Sequence, residues 1–88
     1  MPDQNALNLL DRVVVDSDIV HGKPRIKGTR MPVQVILELL AAGDTVEDLL
    51  HYYEDITYDD IRAAINYAAL YLYANPAMLP LAPISEVA

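Results

Sequence analysis

The pattern Thr-x-x-Asp occurs twice in the middle of this chain, as Thr45-Val46-Glu47-Asp48 and as Thr57-Tyr58-Asp59-Asp60. A threonine hydroxyl accepts from the backbone N–H three residues on. An acid at that position reaches back to the threonine N–H, so each copy marks a helix start. The copies begin twelve residues apart, which leaves room for only about two turns of helix between them. Upstream, Pro32 suits a first helical position and Gly43 a left-handed C-terminal cap. Downstream, Asn75-Pro76 stops the last helix. Residues 32–75 therefore read as three helices, the third of about five turns.

The apolar spacing assigns faces to these helices. Ile36, Leu39 and Leu40 recur at helical intervals in the first, and Val46, Leu49, Leu50 and Tyr53 form the inward face of the second. The third carries two stripes. Ile61, Ala64, Ile65, Ala68 and Leu72 cluster on one side and are expected to face the core. Ala63, Tyr67, Leu70, Tyr71 and Ala74 cluster on the far side. A helix apolar nearly all round must be covered nearly all round, and two short helices with a hairpin can cover one stripe only. The second stripe reads as a surface for a second copy or another protein, since tyrosines favour interfaces. The alternative is that the N-terminal segment and the tail fold back over it.

Before the helices, residues 12–27 suggest a small hairpin or two short extended segments: three successive valines after Arg12, turn formers at Asp16 and Ser17, then the alternation Arg25-Ile26-Lys27. Residues 1–11 are polar and read as a flexible N-terminus, weakly helical at 6–10. Residues 76–88, PAMLPLAPISEVA, contain three prolines and no positive charge. This tail reads as extended, yet Met78, Leu79 and Leu81 are apolar enough to serve a partner. The fold class expected is mainly α: a body over 12–75 followed by a Pro-rich tail.

Charge is strongly polarised. Residues 1–20 sum to −3, 21–30 to +4 and 31–88 to −8, for a net −7. Four of the six Lys and Arg residues, Lys23, Arg25, Lys27 and Arg30, fall in the run HGKPRIKGTRMP. With Thr29 they precede a helix start, whose free N–H groups favour an anion. They are the candidate nucleic-acid contacts, with His21 a possible addition. Positive charges that merely discourage strand-edge pairing are the plainer alternative.

Other chemistry finds little support. The chain has no cysteine, which excludes disulfides and thiolate metal sites. The acids between Asp44 and Asp60 lack the regular spacing of a cation loop. Ser17 and Ser85 lack a nucleophile elbow, no glycine-rich phosphate loop is present, and His51 reads as a surface helix residue. No catalytic residue, metal or cofactor is expected. The N-terminus lacks a signal-peptide pattern and no apolar run spans a membrane, so a cytoplasmic location is expected.

The stretch over residues 16–69 resembles the small bacterial family called domain of unknown function 433, through its GKPRIKGTRMPV box, LLAAG helix end, TVEDLL helix and YEDITYDDIRAAINYAA helix. It departs from the family at His21 and Glu54, where glycine and proline are common. The resemblance implies a homeodomain-like helix-turn-helix. It also implies an antitoxin of a type II toxin–antitoxin pair, similar to the VapB class, whose partner toxins have a PIN-like nuclease fold. Such antitoxins bind toxin with a C-terminal segment and repress their own operon through an N-terminal DNA-binding part. Two carboxylates at the head of the third helix, Asp59 and Asp60, argue against that helix leading into DNA. The expectation is instead that Lys23, Arg25, Lys27, Thr29 and Arg30 contact operator DNA. Tyr67, Leu70, Tyr71, Ala74, Met78, Leu79 and Leu81 then bind a toxin or form a homodimer. The rival reading is a protein-interaction adaptor that binds no DNA.

Overall fold

A computed structural model describes residues 8–17 and 22–75. Asn8 and Leu9 are helical and lead into a 3-10 turn, Leu10–Arg12. Strand β1 (Val13–Val14) pairs antiparallel with β2 (Arg25–Ile26), Val13 opposite Ile26 and Val14 opposite Arg25. Helices α1 (Val33–Ala41), α2 (Val46–Tyr52) and α3 (Tyr58–Ala74) follow. The fold is mainly α, three helices behind a short hairpin, as the sequence predicts. His21, Met78, Leu79 and Leu81, among the candidates above, lie outside the described residues.

Each helix boundary has the cause its sequence suggests. Both Thr-x-x-Asp patterns are complete capping boxes. Thr45 Oγ1 accepts from Asp48 N–H at 3.1 Å while Thr45 N–H donates to Asp48 Oδ2 at 2.9 Å. Thr57 and Asp60 do the same at 3.2 and 2.9 Å. Pro32 is extended (ψ 141°) and sits one residue before α1 rather than in its first turn. Gly43 closes α1 at φ +107°. Its N–H donates to the Leu40 carbonyl and the Asp44 N–H to that of Leu39, both at 3.1 Å, the paired bonds of a Schellman motif.

The core joins Ile26 of β2, Val33 and Ile36 of α1, Leu49 of α2, Ile56, and Ile61 and Ala64 of α3. Leu39, Leu40, Val46, Leu50 and Tyr53 pack around it, partly buried. Each fully buried isoleucine contributes on the order of 2 kcal/mol.

The face that α3 turns inward differs from the expected one. Ile61, Ala63 and Ala64 are buried, and so is Asp60. Tyr67, placed on the outer stripe by sequence, packs against the core. Ile65 and Leu72, expected inside, are 47% and 54% exposed. On a wheel of 100° per residue the buried arc is rotated by roughly 90° toward Asp60. The reason lies at the helix start: Asp60 Oδ2 caps Thr57 and Oδ1 accepts from Arg12 at 3.2 Å, so this carboxylate must face the body. Ile61→Ala should then cost about 3 kcal/mol in urea unfolding. Ile65→Ala and Leu72→Ala should each stay within about 0.5 kcal/mol; equal costs at the three positions would contradict this packing.

Candidate functional site

The basic run folds as a tight loop clamped on both sides. Lys27 N–H donates to the Arg12 carbonyl at 2.8 Å, tying it to the strand segment before it. On the other side Ile26 N–H donates to the Met31 carbonyl and Val33 N–H to that of Pro24, both at 2.9 Å, flanking an antiparallel bridge between Arg25 and Pro32. Within the loop, Thr29 N–H donates to the Ile26 carbonyl at 3.1 Å and Gly28 sits at φ +82°. That is a type II turn, whose third residue needs positive φ and so favours glycine.

This geometry separates the expected contacts. Thr29 Oγ1 donates to the Ile26 carbonyl at 2.8 Å and accepts from Met31 N–H at 3.0 Å. Its hydroxyl holds the turn and has no proton left for a phosphate. Arg25 is half-buried, and its guanidinium donates to the Thr29 carbonyl at 3.0 Å. Its Nε is buried without a partner. Arg25 therefore braces the loop from inside, whereas sequence alternation places its side chain beside those of Lys23 and Lys27. Lys23, Lys27 and Arg30 are exposed. The ion pairs among the described residues engage Arg12 and Arg62, and none engages these three.

The acids at the head of α3 are neutralised within the fold. Arg12 lies 3.2 Å from Asp60 and 3.6 Å from Asp59. Arg62 lies 3.3 Å from Asp59 and sits over the Tyr58 ring, 6.0 Å from its centroid. Two cations thus balance two carboxylates. Sequence reasoning missed Arg12, and no local pattern could have revealed it, because its partner is 48 residues away.

Two concavities flank the loop. One, of about 680 Å3, places Arg30 opposite His51, Glu54 and Asp55 at the end of α2. The other, of about 760 Å3, is an apolar groove between α1 and α3 containing Tyr67 and Tyr71, whose rings stack at 6.2 Å and 24°. Of the expected partner surface, Leu70 is half-buried and Ala74 exposed, with Tyr71 41% exposed and its neighbours Leu72 and Tyr73 at 54% and 70%. Elsewhere the surface is negative. Beside α2, the carboxylates of Asp44 and then Asp48 repel a phenolate and push the Tyr52 hydroxyl pKa above its usual 10.0.

Residues 13–68 match the family described as "Protein of unknown function (DUF433)", and the chain belongs to that family. It is 36% identical over 64 residues to "Uncharacterized protein y4eO" of Sinorhizobium fredii (strain NBRC 101917 / NGR234), a match spanning 73% of this chain. The match covers 27% of that relative's length, so the chain corresponds to about a quarter of it. The fold is similar to the crystal structure of a DUF433 member protein from Anabaena variabilis ATCC 29413, with a TM-score of 0.61 and 26% identity over 86% of this chain and 78% of that one. Among the described residues no helix is long and apolar enough to cross a membrane.

The electrostatic corner of α2 is open to measurement. Ring-carbon NMR during alkaline titration should find Tyr52 ionising above an unperturbed tyrosine. Asp44→Asn should bring it back toward 10.0, and added salt should shrink the difference because the groups are exposed. An unchanged Tyr52 titration in Asp44→Asn would remove the assigned cause.

Proposed function

We propose that this chain is a non-enzymatic regulator, the antitoxin of a type II toxin–antitoxin pair. It binds a nuclease toxin of PIN-like fold through the exposed end of α3 and the tail, and binds its own operator as a repressor. Its helices α2 and α3 serve as a homeodomain-like helix-turn-helix, and it acts as a homodimer in the cytoplasm. The toxin, the operator and the helix-turn-helix role come from the family resemblance. The observation that carries the reading is the division of charge. Lys23, Lys27 and Arg30 are exposed and make no ion pair with a described acid, while the two acids at the head of α3 are held by Arg12 and Arg62.

That division changes which groups meet DNA. Exposed, unpaired cations displace the counterions condensed on DNA phosphates, so Lys27 and Arg30 at the loop tip lead, with Lys23 beside them. Arg25 and Thr29 act indirectly, by fixing the loop. With its carboxylates balanced, the head of α3 is no longer a repulsive face, and it can approach a groove beside the loop. A dimer presents two such loops to two half-sites. The net charge of −7 favours the rival reading, an adaptor that binds protein alone.

Mobility shift against the DNA upstream of the reading frame, at low and physiological salt, decides between them. Lys27→Glu and Arg30→Glu should weaken binding, each lowering the log–log salt slope by about one, and leave toxin affinity intact. Retardation that is absent both for the chain alone and for its toxin complex would leave the adaptor.

A further inference from the structure

The groove between α1 and α3 has no occupant among the described residues, and its chemistry is specific. Its walls include Val33, Leu37, Tyr67, Ala68, Tyr71 and Leu72. Lys23, next to the Pro24 carbonyl that receives the Val33 N–H, is the single charged side chain among its described lining residues. Two stacked tyrosines in an apolar trough form the kind of surface that receives a polyproline II segment.

Such a segment follows directly. Beyond Asn75 the sequence is PAMLPLAPISEVA, and Met78, Leu81, Ile84 and Val87 recur every third residue. Three residues per turn is the polyproline II period, so these four share one ridge. Pro80 and Pro83, spaced Pro-x-x-Pro, favour that conformation and share a second ridge with Glu86. Glu86 is the one charged side chain of residues 76–88. Apolar ridge matches apolar groove, and the single acidic side chain of the segment matches the single cation among the described rim residues.

We propose that residues 78–87 dock as a polyproline II strand in the α1–α3 groove of the same chain. The Met78, Leu81 and Ile84 ridge lies on Tyr67 and Tyr71, and Glu86 lies beside Lys23. The reach is sufficient: Asn75 to Glu86 spans about 34 Å at polyproline II rise, more than the ~25 Å length of α3. The tether favours the chain's own tail over a second copy's. A short connection raises the effective concentration into the millimolar range, so even a weak site fills. Docking also covers Tyr71 and Leu72, two of the exposed apolar side chains on α3. The proposal concerns the free chain and stands whether or not a toxin is the partner. If the tail does bind a partner, that partner competes with the groove.

The absence of cysteine makes the test direct. Ser85→Cys gives one attachment point for a nitroxide on the full-length chain. Docking in cis should broaden the amide signals of residues 33–37 and 67–72, unchanged on dilution. Tyr71→Ser and Lys23→Glu, both at exposed positions, should reduce that broadening, and Glu86→Lys in the Lys23→Glu background should restore it. Broadening that arises only when spin-labelled chains are mixed with isotope-labelled, unspun chains would assign the groove to a second copy's tail and overturn docking in cis. Groove signals untouched in both samples would overturn it as well.

Discussion

Asp60 is a buried carboxylate that two parts of the chain share. One oxygen accepts from the Thr57 N–H and closes the cap of α3, and the other accepts from Arg12. Arg12 also meets Asp59, which Arg62 holds from the next turn. The two pairs made by Asp59 are exposed and worth about 0–1 kcal/mol each, whereas the Arg12–Asp60 pair involves a buried carboxylate. The effect of the network is positional. A carboxylate that caps its own helix and pairs across the fold can point in one direction only. That direction sets the rotation of α3. Ala63, Ala64 and Tyr67 then lie inside, and Ile65 and Leu72 outside.

The same network decides which charges remain for a partner. Arg12 and Arg62 are spent within the body, while Lys23, Lys27 and Arg30 are not paired with described acids. The positive field therefore concentrates at one clamped loop. Acids cluster at the α2 corner around Tyr52. An acidic molecule with one positive loop steers anions to that loop and away from the acidic α2 corner. Rigidity adds to this, because the type II turn at Gly28, the Thr29 hydroxyl and the Arg25 brace fix the loop before any ligand arrives.

The far end of α3 has the opposite character. Its last two turns carry Tyr71, Leu72 and Tyr73 into the open, beside a groove that is apolar along α1. Apolar side chains gathered in this way mark a surface meant to be covered. One molecule thus carries a charged loop, suited to an anion, and beside it an apolar groove, suited to a chain segment.

Much of the architecture was legible in the residues themselves, because its causes are local. The two Thr-x-x-Asp boxes, Gly43 and the 3.6-residue spacing of Ile36, Leu39, Leu40, Val46, Leu49 and Leu50 act within one or two turns of helix, and each gave the element expected of it. The placement of Ile26 between two charges likewise announced a buried strand residue. The site was legible only as a cluster of cations. Which of them reach outward depended on Thr29 turning its hydroxyl to Ile26 and on Arg25 folding back over the loop. The inward face of α3 was legible only in part: Ile61 and Ala64 are buried as expected, but Ala63 and Tyr67 join them in place of Ile65 and Leu72. Periodicity shows that a helix has two apolar stripes but not which one the body covers, since both satisfy the same spacing. That choice rests on a contact between residues 12 and 60 that exists only once the chain has folded.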